Sequence, residues 1–189
     1  MHQDAKPTRG PWRSSDLELL PENGSRYEII DGELLMSKSP HWHHQAACGN
    51  VYMALKLWSR QQGKGAVAVT PGVIFADADD VIPDVVWISD ERLVALMDDA
   101  GHLTGAPELA VEVLSFGARN EERDRTAKRK LYETQGVQEY WILDWRIKQV
   151  EIYHRENGEL RRTATLLKDD TLTSPLLPEF SCLVSELFD

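Results

Sequence analysis

Two hydrophobic periods alternate along the chain, and the positions where one gives way to the other outline its elements. In residues 107–115, PELAVEVLS, alternation puts Leu109, Val111 and Val113 on one face and Ala110, Glu112 and Leu114 on the other. Both faces are apolar around Glu112, so this is an interior strand. Residues 81–89, VIPDVVWIS, repeat the pattern with Asp84 among apolar neighbours, and Pro83 removes a ladder donor where the strand starts or bends. Residues 66–76, AVAVTPGVIFA, give one or two further strands, followed by a turn at DADD. The period changes in residues 44–63. There Ala47, Val51, Leu55 and Trp58 recur at helical spacing, which predicts a core-facing helix closed by Gly63 and entered from the loop SKSPHWHHQ.

Turn and cap signals fill in the rest. Asp31-Gly32 separates two apolar runs in RYEIIDGELLM and predicts a two-residue hairpin, as does Asn157-Gly158 within residues 149–166. SSDLELL begins a helix capped by Ser15 or Asp16, with Glu18 spaced for a capping box behind Ser15. DERLVALMDD is helix-prone, NEERDRTAKRKLYETQG is a charged helix ending at Gly136, and EYWILDW is a strand. The tail TSPLLPEFSCLVSELFD packs back as a strand and a short helix. Residues 1–13 form a loose tail and residues 14–189 one domain. Single helices alternating with groups of strands argue an α/β fold, with a central mixed sheet flanked by helices.

Composition narrows the functional classes. The hydrophobic share of 42% and charged share of 28% are those of a globular chain, and no apolar run approaches the ~20 residues of a membrane span. The N-terminus has no signal-peptide core, so the expected location is cytoplasmic and no membrane partner is expected. Cys48 and Cys182 lack zinc-ligand spacing and read as buried thiols. With 31 acidic and 21 basic residues the net charge is −10. That balance disfavours wrapping DNA by general phosphate attraction, and it suits a site that gathers divalent cations.

Candidate chemistry lies where acids interrupt apolar strands. A buried carboxylate must be neutralised, paired or metal-bound. Asp84 and Glu112 sit on two buried strands; if they meet, like charges at short range call for a cation between them. The alternative for each acid is a helix cap or a partner arginine. On the charged helix Asp124, Lys128 and Tyr132 share one face at i, i+4 and i+8, with Leu131 beside them, so Lys128 leans inward. Such a lysine could orient a water or stabilise charge on an attacked phosphodiester. Its bland counterpart is an exposed Asp124–Lys128 ion pair worth ~0.3–0.5 kcal/mol. His44 continues the apolar face of its helix, where a lone histidine more often caps or hydrogen-bonds than ligates. His41, His43 and His44 have no tidy zinc spacing. No phosphate loop, dinucleotide glycine fingerprint, G-x-S-x-G elbow or HExxH helix is present.

Asp84, then Glu112 on a following strand, then a lysine, is the order of the PD-(D/E)xK nuclease superfamily. RYEIIDGELLM, SPHWHHQ, PDVVWIS, PELAVEVLS, RDRTAKRKLYETQGVQEYWILD and LTSPLLPEFSCLVSELF together resemble the Uma-type family of restriction endonucleases over residues 17–188. The resemblance implies a restriction-endonuclease-like fold and Mg²⁺-dependent (or Mn²⁺-dependent) phosphodiester hydrolysis. Carried over by position, Asp84, Glu112 and the main-chain carbonyl of Val113 would ligate the metal, while Glu28 and His44 match polar positions near the cleft. The superfamily's usual lysine position is occupied by Leu114; the resembled family carries its lysine on the next helix, which points to Lys128, with Lys130 second. Glu179 stands where that family usually has glycine.

The expected function is therefore a metal-dependent endonuclease acting on nucleic acid, DNA first. Asp84 and Glu112 would bind the metal, Lys128 would act on the water or the transition state, and Asp124 or Tyr132 would fix the lysine's direction. A homodimer is expected because this fold class often pairs. The alternative is a non-catalytic binding or regulatory module on a nuclease scaffold, to which the −10 charge gives weight.

Overall fold

The computed structural model of the protein describes residues 10–21 and 24–189. Strands β1 (Arg26–Ile30) and β2 (Glu33–Ser37) form the expected hairpin, and Asp31 and Gly32 take the positive φ values, 52° and 72°, that a type I′ turn requires. Most of the expected loose tail, residues 1–9, lies outside the described residues. Pro11 and Trp12 rest against the hairpin turn: the Trp12 amide donates to the Gly32 carbonyl, and a Cβ at Gly32 would meet Pro11 at 2.6 Å. The first short helix, α1 (Ser14–Leu17), is capped at Arg13, two positions before Ser15, with the Arg13 amide donating to the Asp16 carboxylate.

Helix α2 (Trp42–Gln62) also starts earlier than the apolar period indicates. His41 caps it by accepting from the His43 amide at 3.2 Å, so HWHH belongs to the helix start and not to a loop. Gly63, at φ 62°, closes it as expected. The strands that follow are β3 (Ala66–Val69), β4 (Val73–Ala76), β5 (Asp79–Val81) and β6 (Val85–Ile88). Pro83 splits VIPDVVWIS, which leaves Asp84 in the break before β6 and not inside a continuous strand. After α3 (Asp90–Leu96) come β7 (Leu109–Val113), β8 (Glu139–Asp144), β9 (Gln149–Glu156) and β10 (Glu159–Leu166).

These strands make two sheets. Six run in the order β10-β9-β8-β7-β6-β3, mixed because β7 and β8 are parallel; four form the antiparallel order β2-β1-β5-β4. The interior strand β7 buries both faces as its alternation requires. Leu109, Val111 and Val113 pack with Ala47, Val51, Leu55 and Trp58 of α2 and with a C-terminal hairpin of β11 (Thr171–Ser174) and β12 (Leu177–Leu183). That hairpin stands where a single strand was expected for the tail, and the 3₁₀ turn Val184–Phe188 stands where the short helix was expected. Ala110 and Leu114 pack on the other side, with Ile30 and Val81 of the smaller sheet and Leu131 and Tyr132 of the charged helix.

The charged helix is not uniform. It runs as α4 (Ala118–Glu122), a π-helical stretch Arg123–Lys128, and α5 (Arg129–Gln135). A side chain from the sheet accounts for the widened turn: the Tyr140 hydroxyl donates to the main-chain oxygen of Asp124 at 2.9 Å, taking an acceptor that an α-helix would use internally.

Candidate active site

Strand register brings the two anomalous acids together. Val85 pairs with Val111 and Val86 with Ala110 in the antiparallel β6–β7 ladder. Asp84 immediately precedes Val85 and Glu112 immediately follows Val111, so the ladder ends with the two acids side by side. The Val113 amide donates to Asp84 Oδ2 at 2.9 Å, which fixes the carboxylate beside β7. The two acids line one pocket of about 140 Å³ together with Glu28, His44, Lys128, Arg26 and Arg123.

Each acid has its own partners. Asp84 Oδ1 accepts from Arg26 Nη1 at 3.0 Å, and Oδ2 lies 3.3 Å from His44 Nε2. Glu112 Oε1 accepts from Lys128 Nζ at 2.9 Å and from the Tyr132 hydroxyl at 2.8 Å. Glu112 Oε2 accepts no hydrogen bond from the described residues and is left for the pocket. Lys128 is 1% exposed and bridges two carboxylates, since its Nζ also lies 2.8 Å from Glu28 Oε1. Glu28 is held in turn by the Ile82 amide at 2.8 Å.

The lysine's expected orienting partners need correction. Asp124 is buried, but its carboxylate binds Arg123 at 2.8 Å and makes no ion pair with Lys128; it is no exposed pair either. Tyr132 bonds Glu112, not the lysine. Lys128 is held by Glu28 and Glu112 instead, and the widened π turn carries Asp124 and Lys128 together into the interior. Lys130 is exposed on the far side of its helix.

The charges shape one another's titration. Burial alone would raise Asp84, but the His44 hydrogen bond and the charges of His44, Lys128 and Arg26 overcome it and hold the carboxyl well below the usual carboxylate range. Burial pushes Glu112 up to about 8 against the pull of the Lys128 ammonium, with Asp84, Asp124 and Glu28 adding to the rise. Burial opposes the charge on Lys128, yet Glu112, Glu28 and Asp124 more than offset it and keep the amine cationic. His44 is also raised: desolvation works against its charge, and Asp84 outweighs it by hydrogen bond and charge.

Donor chemistry fits a hard divalent cation. Asp84, just before β6, and Glu112, on β7, present carboxylate oxygens to one pocket, and one Glu112 oxygen has no protein donor among the described residues. A second cluster that sequence alone did not show is His44, Cys48 and Asp84, whose ligand atoms lie within 4.8 Å of one another. Cys48 is the weak member, because burial pushes its thiol far up and keeps it protonated. Arg26 and Arg123 were also not legible in advance. Arg26 and Glu28 share one face of β1 at i and i+2, and that spacing was the available signal.

The chain belongs to the Uma2 family, described as "Putative restriction endonuclease", which it matches over residues 14–185. Its fold is similar to the crystal structure of "a putative nuclease belonging to DUF820" from Anabaena variabilis ATCC 29413, with 18% identity, 94% of this chain and 98% of that chain covered, and a TM-score of 0.73. At that identity the likeness is one of fold, and the fold is restriction-endonuclease-like as expected. No curated protein matches the chain. Among the described residues no helix is long and apolar enough to cross a membrane.

Proposed function

We propose that the protein is a metal-dependent endonuclease that hydrolyses phosphodiester bonds of DNA. The observation that supports this reading is the pocket that Asp84 and Glu112 line together, in which Lys128 reaches Glu112 at 2.9 Å. Asp84, Glu112 and the Val113 main-chain carbonyl would hold Mg²⁺ or Mn²⁺. Bound there, the cation would supply Lewis acidity, lowering the pKa of a water and offsetting phosphate charge. The chain's own groups do the rest. Lys128, kept cationic by Glu28 and Glu112, orients the attacking water or stabilises the negative charge that builds on the phosphate. Tyr132 and Lys128 together fix the Glu112 carboxylate, and His44 and the Val113 amide fix that of Asp84.

Charge balance supports the same reading. With Glu112 deprotonated, as cation binding requires, and His44 neutral, Glu28, Asp84, Glu112 and Asp124 against the permanent cations Arg26, Arg123 and Lys128 leave one negative charge. One divalent cation would turn this to a single positive charge, the complement of a phosphodiester.

One observation favours the second reading, a non-catalytic binding module. Arg26 on Asp84 and Lys128 on Glu112 already give each acid a cationic partner without an ion. Plasmid nicking with Mg²⁺ and Mn²⁺ separates the two, comparing wild type with Asp84→Asn and Lys128→Ala. Metal-dependent nicking lost in both variants supports the nuclease; no cleavage of DNA or RNA and no metal binding by wild type supports the module.

A further inference from the structure

A cluster of rings stands at the mouth of the pocket. Pro40 and Ser115 line the pocket, and the residues that follow them, His41 and Phe116, are exposed. The His41 and Trp145 rings stack at 4.8 Å with an interplanar angle of 7°. His43 lies 5.4 Å from both. Phe116 stands edge-on to Trp145 at 5.1 Å and to His41 at 5.6 Å, and it is 58% exposed. Trp145 is no loose surface ring, because its Nε1 donates to the Leu114 carbonyl at 3.0 Å.

We infer that His41, Phe116 and Trp145 form a stacking platform for an unpaired base, so that the nucleic acid taken by the neighbouring pocket is single-stranded DNA. The inference rests on the nuclease reading for the nature of the partner. Four features favour a base over another apolar occupant. The platform is made of flat aromatic and imidazole faces, and base–aromatic stacking is tolerant of sequence. Its rings are held by one another, so little side-chain freedom is lost on stacking. The adjacent pocket carries cations for the backbone: Lys38, exposed at its rim, makes no ion pair with the described residues, and Arg26 and Arg123 lie behind it. Phe116 is four residues from Glu112, so the two are at most about 14 Å apart along the chain. A base on the platform therefore sits close to a phosphate in the pocket.

The charge of the whole molecule points the same way. At −10 the protein is poorly suited to the long-range phosphate attraction that duplex binding uses. Stacking on rings with a few local cations needs far less positive field.

The test is fluorescence anisotropy in EDTA, where no cleavage occurs, with a fluorescein-labelled oligo(dT) and a blunt duplex of equal length. Wild type should bind the single strand more tightly than the duplex. Phe116→Ala should weaken single-strand binding by about 5- to 150-fold, the stacking worth of one base, without changing duplex binding. Phe116→Leu should fail likewise and Phe116→Trp should retain affinity, since leucine keeps apolar area and only tryptophan keeps a π face. The ring is exposed, and unchanged melting of the three variants checks that they fold. Equal binding of single strand and duplex by wild type, or full affinity in Phe116→Leu, would overturn the platform. Binding without metal is independent of hydrolysis. A protein that cuts DNA but binds oligo(dT) no better than duplex overturns only this inference; one that stacks oligo(dT) but never cuts overturns only the nuclease reading.

Discussion

Replacing Lys128 with methionine removes a buried ammonium while keeping most of the side chain's volume. The lysine sits 2.8 Å from Glu28 and 2.9 Å from Glu112 and is 1% exposed, so the variant leaves two buried carboxylates facing one another. Breaking a buried ion pair by removing one partner costs about 3–5 kcal/mol. For a domain of this size that corresponds to a melting temperature lower by about 6–20 °C, at 2–4 °C per kcal/mol. The loss should depend on pH in a defined direction. Glu112 already titrates at about 8 with the ammonium present, and without it the carboxyl rises further. Below pH 8 the variant can therefore hold a proton on Glu112 and relieve the repulsion; above pH 8 in the wild type, the lysine does that work. Thermal melts of both proteins at pH 6 and pH 8.5 should show a clearly larger deficit at pH 8.5. A variant within about 2 °C of wild type at pH 8.5, or a larger deficit at pH 6, refutes the reasoning.

Three further outcomes follow from the same geometry. Because Glu112 must lose its proton to bind a cation, Mn²⁺ affinity should rise up to about tenfold per pH unit from 6 to 8 and then level off; calorimetry in buffers of different ionisation enthalpy should show proton release, and a flat profile contradicts it. Tyr132→Phe removes one of the two donors to Glu112 Oε1 and should lower stability by about 1.5–3 kcal/mol in urea unfolding, with no loss pointing to an unimportant bond. Glu179 adopts φ 64°, a left-handed conformation unfavourable for a residue with a Cβ, so Glu179→Gly should raise the melting temperature by a few degrees, with a lower one as the contrary result.

Local patterning made much of this fold legible, and the limits fall where distant groups decide. Alternation in residues 107–115 assigned each side chain of β7 to its face, because strand geometry leaves no other choice. The two tight hairpins were legible because Asp31-Gly32 and Asn157-Gly158 supply the positive φ values the turns need. What escaped the sequence depends on tertiary contact. The π turn needs the Tyr140 hydroxyl, which arrives from β8. Glu28 as the holder of Lys128 requires knowing that β1, in the smaller sheet, lies against the charged helix. Asp124 shares a helical face with Lys128 and still pairs with its own neighbour, Arg123, because spacing places side chains near one another without choosing partners. Cys48 read as a plain buried thiol, and only the approach of Asp84 to His44 makes it part of a cluster.

That cluster offers a cation a rival place beside the Asp84–Glu112 pair, so the location of the metal is the decisive measurement. Crystals of the protein soaked in Mn²⁺, with data collected for anomalous scattering, should show one peak with oxygens of both Asp84 and Glu112 at about 2.0–2.6 Å. A peak held by His44, Cys48 and Asp84 without Glu112, or no peak in a crystal that binds Mn²⁺ nowhere in this pocket, would contradict the account.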